Sequence, residues 1–220
     1  MSSRASYLAL GDSYTIGEGV APGERWPVLL VHHLRESGAS ISNPEIVART
    51  GWTTDELMTA IHEAPLKESY ELVSLLIGVN NQYRGRSPGE YRAEFTELLD
   101  YAVKCAGGFA HRVIVLSIPD WGVTPFAEGR DRARIALEID EFNAMNRAES
   151  DRRGAYYVDV TPISRAEKHR DLLVADGLHP AGAMYDMWAR LALPAAEQAL
   201  AALHHDCEPI GMPDADLHRE

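Results

Sequence analysis

Cysteine is scarce in this 220-residue chain, which contains only Cys105 and Cys207. Two cysteines do not form a disulfide framework, and so low a count is typical of proteins in a reducing compartment. Long hydrophobic runs are also missing. The apolar segment nearest the N-terminus covers only residues 7–10, which is too short for a signal-peptide core or a membrane span. We therefore expect a cytoplasmic protein without a membrane span.

Basic residues are outnumbered by acidic ones. The chain has 21 Lys and Arg against 33 Asp and Glu, for a formal net charge of −12, and no basic cluster offsets this charge locally. A field of this sign repels phosphate backbones and anionic membrane surfaces, so we expect no nucleic-acid partner. With 45% hydrophobic and 25% charged residues, the composition is that of an ordinary globular domain with a full core.

Short apolar segments alternate with helical patterns along the chain. Strands are predicted at residues 7–10, 46–48, 72–77, 113–118 and 156–160. The third is apolar on both faces, which is typical of a central strand in a parallel sheet covered by helices. We predict a three-layer α/β/α sandwich with a five-stranded parallel sheet in the order 2-1-3-4-5. The last helical region, from 181 to about 203, contains Pro194, which should kink or split it.

No linker or repeat divides the chain, so a single domain is predicted over residues 1–203. Residues 204–220 are polar and contain two prolines, and we interpret them as a C-terminal tail.

Polar turns follow four of the predicted strands. They carry Asp12 and Ser13 after the first strand, Gly51 after the second, Asn80 and Asn81 after the third, and Asp176 and His179 after the fifth. Taken singly, each is most simply a strand-ending turn or a helix cap. Parallel strands, however, end at the same edge of the sheet, where ligands bind in open α/β folds. This convergence favours a functional site.

The residue types at this edge suit nucleophilic catalysis. The Ser13 hydroxyl is a weak nucleophile until a base removes its proton, and His179 has the side chain best suited to that task. Asp176 lies three residues before His179, so one short loop can present the carboxylate that orients the imidazole. Donors for an oxyanion are available from the Ser13 and Gly51 N–H groups and the Asn80 side chain.

These residues form four blocks that resemble those of the SGNH hydrolases, the GDSL-type esterases and lipases. The blocks are Gly11-Asp12-Ser13, Gly51, Gly78-x-Asn80 and Asp176-x-x-His179, and the resemblance extends from about residue 7 to 193. It implies a flavodoxin-like sandwich and hydrolysis through an acyl-enzyme, without a metal or other cofactor. It also implies a catalytic triad of Ser13, His179 and Asp176, with Ser13, Gly51 and Asn80 forming the oxyanion hole.

Two positions depart from the usual pattern of that family. Tyr14 stands where leucine is common, and Asn81 stands where the third block usually has aspartate. The oxyanion donor Asn80 is kept. We therefore expect Asn81 to brace the loop rather than to contact substrate.

Three aromatic residues, Trp52, Trp121 and Phe126, lie on loops at the same edge. They either cover the core or line a pocket for the acyl or alcohol part of a substrate.

Histidines and cysteines elsewhere are interpreted as structural or solvated. His32 and His33 lie on a predicted helix and are interpreted as having no acidic partner at metal-ligand spacing. Cys105 lies on a helix and is expected to be buried rather than reactive. His204, His205 and Cys207 have side chains able to bind a metal, but a solvated tail is the simpler interpretation.

The sequence therefore predicts a metal-independent serine esterase that cleaves small carboxylic esters. Thioesterase, lysophospholipase and carbohydrate deacetylase activities remain open. The alternative is a catalytically silent domain that binds a small ligand at the same edge. The acidic edge and the absence of a Walker-type loop argue against a phosphate ligand.

Overall fold

Five parallel strands form the centre of the protein. A computed structural model describes residues 4–204. The strands are β1 (Tyr7–Gly11), β2 (Glu45–Ala48), β3 (Leu72–Leu76), β4 (Val113–Leu116) and β5 (Tyr156–Val158). All neighbouring strands pair in parallel in the order β2-β1-β3-β4-β5. The predicted sheet and its strand order are confirmed.

The pairing register brings the ends of the first three strands together. Gly11 at the end of β1 pairs with Ala48 of β2 on one side and with Leu76 of β3 on the other. The segments that leave these strands therefore start side by side at one edge of the sheet.

Eight α-helices surround the sheet within the described residues. They are α1 (Ser13–Ile16), α2 (Trp26–Glu36), α3 (Thr54–Glu63), α4 (Val79–Tyr83), α5 (Pro88–Cys105), α6 (Arg132–Arg153), α7 (Thr161–Arg165) and α8 (Gly182–Ala201). Helices α2 and α8 pack against each other, and α5 packs against α3 and α6. These two groups form the outer layers of the predicted sandwich.

The helix α8 continues through Pro194 as one element, so the predicted split does not occur. Proline removes one backbone hydrogen bond and costs about 3 kcal/mol inside a helix. The buried residues Trp188, Ala192 and Ala196 flank Pro194 along this helix. Their packing on both sides of the proline holds the two halves of the helix together.

The core is formed mainly by the strands and by the inner faces of α2, α5 and α8. Every residue of β1, β3 and β4 is buried. Trp26 of α2 and Trp188 of α8 are completely buried, and burial of a large apolar side chain contributes about 1.5–3 kcal/mol. The sheet is thus covered on both faces, as the apolar third strand predicted.

Cys105 is buried at the end of α5, and burial raises the pKa of its thiol. This agrees with a structural role. Of the predicted tail, residues 205–220 and the side chain of His204 lie outside the described part of the chain, and with them the possible ligands His204, His205 and Cys207. Between residues 4 and 204, the helices are all too short or too polar to cross a bilayer.

The prediction for His32 and His33 is wrong in one respect. Glu36 follows them by four and three residues on α2, and its carboxylate lies within reach of both imidazoles. Residues one helical turn apart share a face, so an acidic partner at ligand spacing is present after all.

Candidate active site

Ser13 is placed by a tight turn at the end of β1. A Cβ atom at Gly11 would collide with the Thr15 side chain and the Leu76 carbonyl oxygen, so only glycine fits there. Asp12 then caps the N-terminus of α1, and its Oδ1 accepts the Tyr14 N–H at 3.0 Å. Ser13 follows at the mouth of a cleft and is 5% exposed.

The Asp12 carboxyl below Ser13 is in an unusual environment. It is completely buried, and its Oδ2 has no hydrogen-bond partner among residues 4–204. Burial raises its pKa from 3.8 to about 7, and the hydrogen bond from the Tyr14 N–H offsets only part of that increase. Asp12 therefore binds its proton far more tightly than an exposed aspartate does.

Asp176 and His179 are presented by a compact turn that precedes α8. The Asp176 Oδ1 accepts the N–H groups of Leu178 at 2.8 Å and His179 at 3.0 Å, and its Oδ2 lies 2.6 Å from the His179 Nδ1. Burial tends to raise the pKa of Asp176, but these hydrogen bonds outweigh it and lower the pKa. An ionised Asp176 accepts the proton on Nδ1, which leaves the Nε2 lone pair of His179 free to act as a base.

The position of His179 is fixed from two further directions. The Tyr14 ring lies 5.7 Å from the imidazole and 5.8 Å from Trp188, measured between ring centroids. The His179 carbonyl accepts the Val174 N–H at 2.9 Å, and Leu173 forms a bridge with Pro180. These contacts restrict both the ring and the backbone of His179.

Gly51 and Asn80 line the same cleft as His179, and the segments that carry them are joined by hydrogen bonds. Gly51 has a φ of +87°, which favours glycine, and its carbonyl accepts the Arg84 Nη2 at 2.7 Å. The Asn80 Nδ2 donates to the Trp52 carbonyl at 2.9 Å. Because an amide nitrogen carries two protons, one N–H of Asn80 remains beyond this bond.

Asn81 points away from the cleft into the protein. It is completely buried; its Oδ1 accepts the Thr54 N–H at 3.1 Å and its Nδ2 donates to the Thr54 Oγ1 at 2.6 Å. The same Nδ2 lies 3.4 Å from the Glu94 Oε2. Asn81 thus braces α4 against α3 and α5, as predicted. A carboxylate at this position has no proton to donate to Thr54 and would stand beside that of Glu94.

The cleft has a volume of about 180 Å³ and brings together Ser13, Gly51, Asn80 and His179. Asp176 supports His179 from behind. Of the predicted pocket aromatics, Trp121 and Phe126 line the cleft. Trp52 is not among its described lining residues; it packs, partly buried, against the core, which is the other alternative that its sequence position left open.

Sequence reasoning missed Tyr83, which also lines the cleft. Tyr83 lies on α4 three residues after Asn80, and residues at that spacing share a face of a helix. The signal was therefore present, but the segment after β3 was interpreted only as a turn.

Tyr83, Trp121 and Phe126 form one wall of the cleft, which we call the aromatic wall. Their ring centroids are 5.4 to 6.2 Å apart. The Arg130 guanidinium lies 5.0 to 5.7 Å from all three rings, an arrangement that stabilises them through cation–π contact. The Phe126 N–H donates to the Gly177 carbonyl at 3.1 Å, which joins the wall to the Asp176–His179 turn.

Solved structures share this fold. "Crystal Structure of TesA" matches with a TM-score of 0.68 at 20% identity, covering 89% of this chain and 99% of that one. Axe2, an acetylxylan esterase from Geobacillus stearothermophilus, matches at 0.66 and 20% identity over 87% and 94% of the two chains. The psychrotrophic esterase EstA from Pseudoalteromonas sp. matches at 0.65 and 16% identity over 90% and 99%.

Fold and strand order thus define an α/β sandwich of the type found in the GDSL/SGNH hydrolases. The sequence matches the model of the GDSL-like lipase/acylhydrolase family over residues 9–187, and the chain belongs to that family. The resemblance noted from the four blocks is confirmed. Among curated proteins no match is found.

Proposed function

We propose that the protein is a serine esterase that hydrolyses small carboxylic esters through an acyl-enzyme. The observation that carries this proposal is the 2.6 Å contact between the Asp176 Oδ2 and the His179 Nδ1, in a cleft that also contains Ser13. This contact leaves the His179 Nε2 as the free base in the cleft.

The reaction follows from these groups. The His179 Nε2 takes the Ser13 hydroxyl proton while Oγ attacks the ester carbonyl, and Asp176 stabilises the imidazolium that forms. The N–H groups of Ser13 and Gly51 and the remaining N–H of Asn80 bind the oxyanion. Return of the proton to the alcohol oxygen expels the alcohol and leaves the acyl-enzyme. A water molecule then repeats these steps and releases the acid.

The size of the cleft favours a short acyl group. Its volume of about 180 Å³ lies below the roughly 300–1,000 Å³ typical of pockets for drug-sized ligands. The aromatic wall supplies an apolar surface for the acyl or alcohol part. Acetyl esters fit these dimensions, and two of the structural neighbours are esterases by description, one of them for acetylxylan. Thioesters and lysophospholipids are substrates of the same chemistry.

We also propose that the protein works in the cytoplasm on a small-molecule ester, without a cofactor. Its low cysteine count and its net charge of −12 support this placement.

A fluorophosphonate probe tests the mechanism because it phosphonylates only an activated serine. We expect stoichiometric labelling on the peptide that contains Ser13, and none in the Ser13→Ala variant. Ser37→Ala is the matched control, because Ser37 is exposed at the end of α2 and should not affect labelling. A folded wild-type protein that stays unlabelled and does not cleave p-nitrophenyl acetate would instead be a silent ligand-binding domain. Esters of graded acyl length then define the substrate class.

A further inference from the structure

A group of metal-ligating side chains lies on α2, separate from the cleft. His32, His33 and Glu36 each offer one ligand atom, and these atoms all lie within 4.8 Å of one another. The described lining of the active-site cleft includes none of the three. His32 and Glu36 have side chains that are 64% and 61% exposed, whereas that of His33 is only 7% exposed.

The separations fit the coordination of a small ion. The Glu36 Oε1 lies 3.6 Å from the His32 Nδ1, and the Glu36 Oε2 lies 3.2 Å from the His33 Nδ1. Two ligand atoms that are each about 2.1 Å from a tetrahedral ion are about 3.4 Å apart. Each imidazole nitrogen thus lies near this distance from one of the two Glu36 oxygens, and the three groups can surround one ion that the carboxylate binds with either oxygen.

Asp186 supports His33 from the opposite side. Its Oδ1 lies 2.6 Å from the His33 Nε2, and its Oδ2 accepts the Arg190 Nε at 2.7 Å. This short contact favours a proton on Nε2, which turns the lone pair of Nδ1 towards Glu36. A carboxylate that binds the second nitrogen of a ligating histidine is the usual support of a metal site.

Glu36 and Asp186 contact His33 from opposite sides. The Glu36 Oε2 lies 3.2 Å from the Nδ1, and the Asp186 Oδ1 lies 2.6 Å from the Nε2. The His32 imidazole lies on the Glu36 side, so an ion between Glu36 and the His33 Nδ1 would have His32 as its third ligand.

We propose that His32, His33 and Glu36 bind one divalent transition-metal ion of the Zn²⁺ type, with water in the remaining position. Two imidazoles and a carboxylate suit Zn²⁺, Ni²⁺ or Cu²⁺ and do not suit Mg²⁺ or Ca²⁺. The ion would stabilise the packing of α2 against α8, because its ligand His33 contacts Asp186 of α8. Helix α8 begins at Gly182, three residues after His179. The role of the ion is thus to stabilise the fold rather than to take part in hydrolysis.

Calorimetric titration of the full-length, chelator-stripped protein with ZnCl₂ tests the proposal, with MgCl₂ as the negative probe. We expect one Zn²⁺ per chain at the α2 site and a melting temperature that rises by about 5 °C at a hundredfold excess over Kd. His32→Ala and Glu36→Gln should each weaken this binding at least tenfold. Asp186→Asn should weaken it roughly 10- to 100-fold, because the support of His33 is lost.

Two controls separate this site from other histidines. His62→Ala removes an exposed histidine from α3 and should leave Zn²⁺ binding unchanged. The triple variant His204→Ala, His205→Ala, Cys207→Ser removes the possible ligands near the C-terminus and should also keep the α2 binding step. Ester hydrolysis should be the same in His32→Ala and wild type.

The proposal is overturned if the wild type binds no Zn²⁺. It is equally overturned if binding persists in both His32→Ala and Glu36→Gln, or is abolished by the triple variant alone. These outcomes are independent of serine labelling and therefore do not bear on the esterase proposal.

Discussion

The buried carboxyl of Asp12 makes stability depend on pH in an unusual direction. Its pKa is about 7 in the folded protein and 3.8 as the ordinary value. Below 3.8 both states carry the proton, so the group has no effect on the free energy of unfolding. As pH rises, the unfolded chain loses the proton first, and the folded state is destabilised until its own carboxyl ionises near pH 7.

The magnitude follows from the two pKa values. They differ by about three pH units, and one unit corresponds to about 1.36 kcal/mol, so the full loss is about 4 kcal/mol. Roughly 3 kcal/mol of it falls between pH 5 and pH 8. Carboxylates with a lowered pKa, such as Asp176, have already ionised by pH 5 and add little in this window.

Asp12→Asn is the matched perturbation. The asparagine Oδ1 can still accept the Tyr14 N–H. Its NH₂ group takes the place of the protonated carboxyl oxygen and does not titrate. We expect the variant to gain about 3 kcal/mol relative to wild type when urea unfolding is compared at pH 5 and at pH 8. Taking the difference between the two proteins cancels the other titrating groups. A difference that stays constant from pH 5 to pH 8 would refute the reasoning.

The remaining predictions concern the cleft and its supports. Ser13→Ala and His179→Ala should each lower kcat/KM by roughly 10³-fold or more. The double variant should lose little more activity than either single variant, because the two residues act as one unit. Additive losses in the double variant would contradict this. Asn80→Ala should lower kcat by about 10²–10³-fold with little change in KM. The control variant Asn81→Asp should keep kcat within about tenfold of wild type. It should melt at a lower temperature, because its carboxylate stands beside that of Glu94. Arg84→Met should lower kcat by a few-fold without changing KM, because the Gly51 peptide loses its outer hydrogen bond. Exhaustive chelation should leave esterase activity intact below the melting temperature of the stripped protein, and a loss that Zn²⁺ restores equally in His32→Ala would move the reaction to a metal-bound water.

Local patterns in the sequence were sufficient to predict much of the fold and of the candidate site. Runs such as residues 72–77 are apolar on both faces, which predicts a covered parallel strand, and parallel strands necessarily end at one edge. The convergence of Ser13, Gly51, Asn80 and His179 follows from that topology, and the predicted strand order is confirmed by the structure. The proximity of Asp176 and His179 could be predicted from their sequence spacing alone, because the two residues are only three positions apart.

Contacts between distant segments were decided only by the tertiary structure. Asn81 has Glu94 as a neighbour across two helices, Gly51 is held by Arg84, and His33 meets Asp186, which lies 153 residues later in the chain. Such partners depend on how helices pack, and the pairing of individual polar side chains between helices leaves no periodic signal in the sequence. The same holds for the buried environment of Asp12, since its pKa is set by the exclusion of water from a folded interior. The sequence by itself therefore determined the fold and the candidate reacting groups, while tertiary packing determined the contacts around them, the pKa of Asp12 and the shape of the cleft.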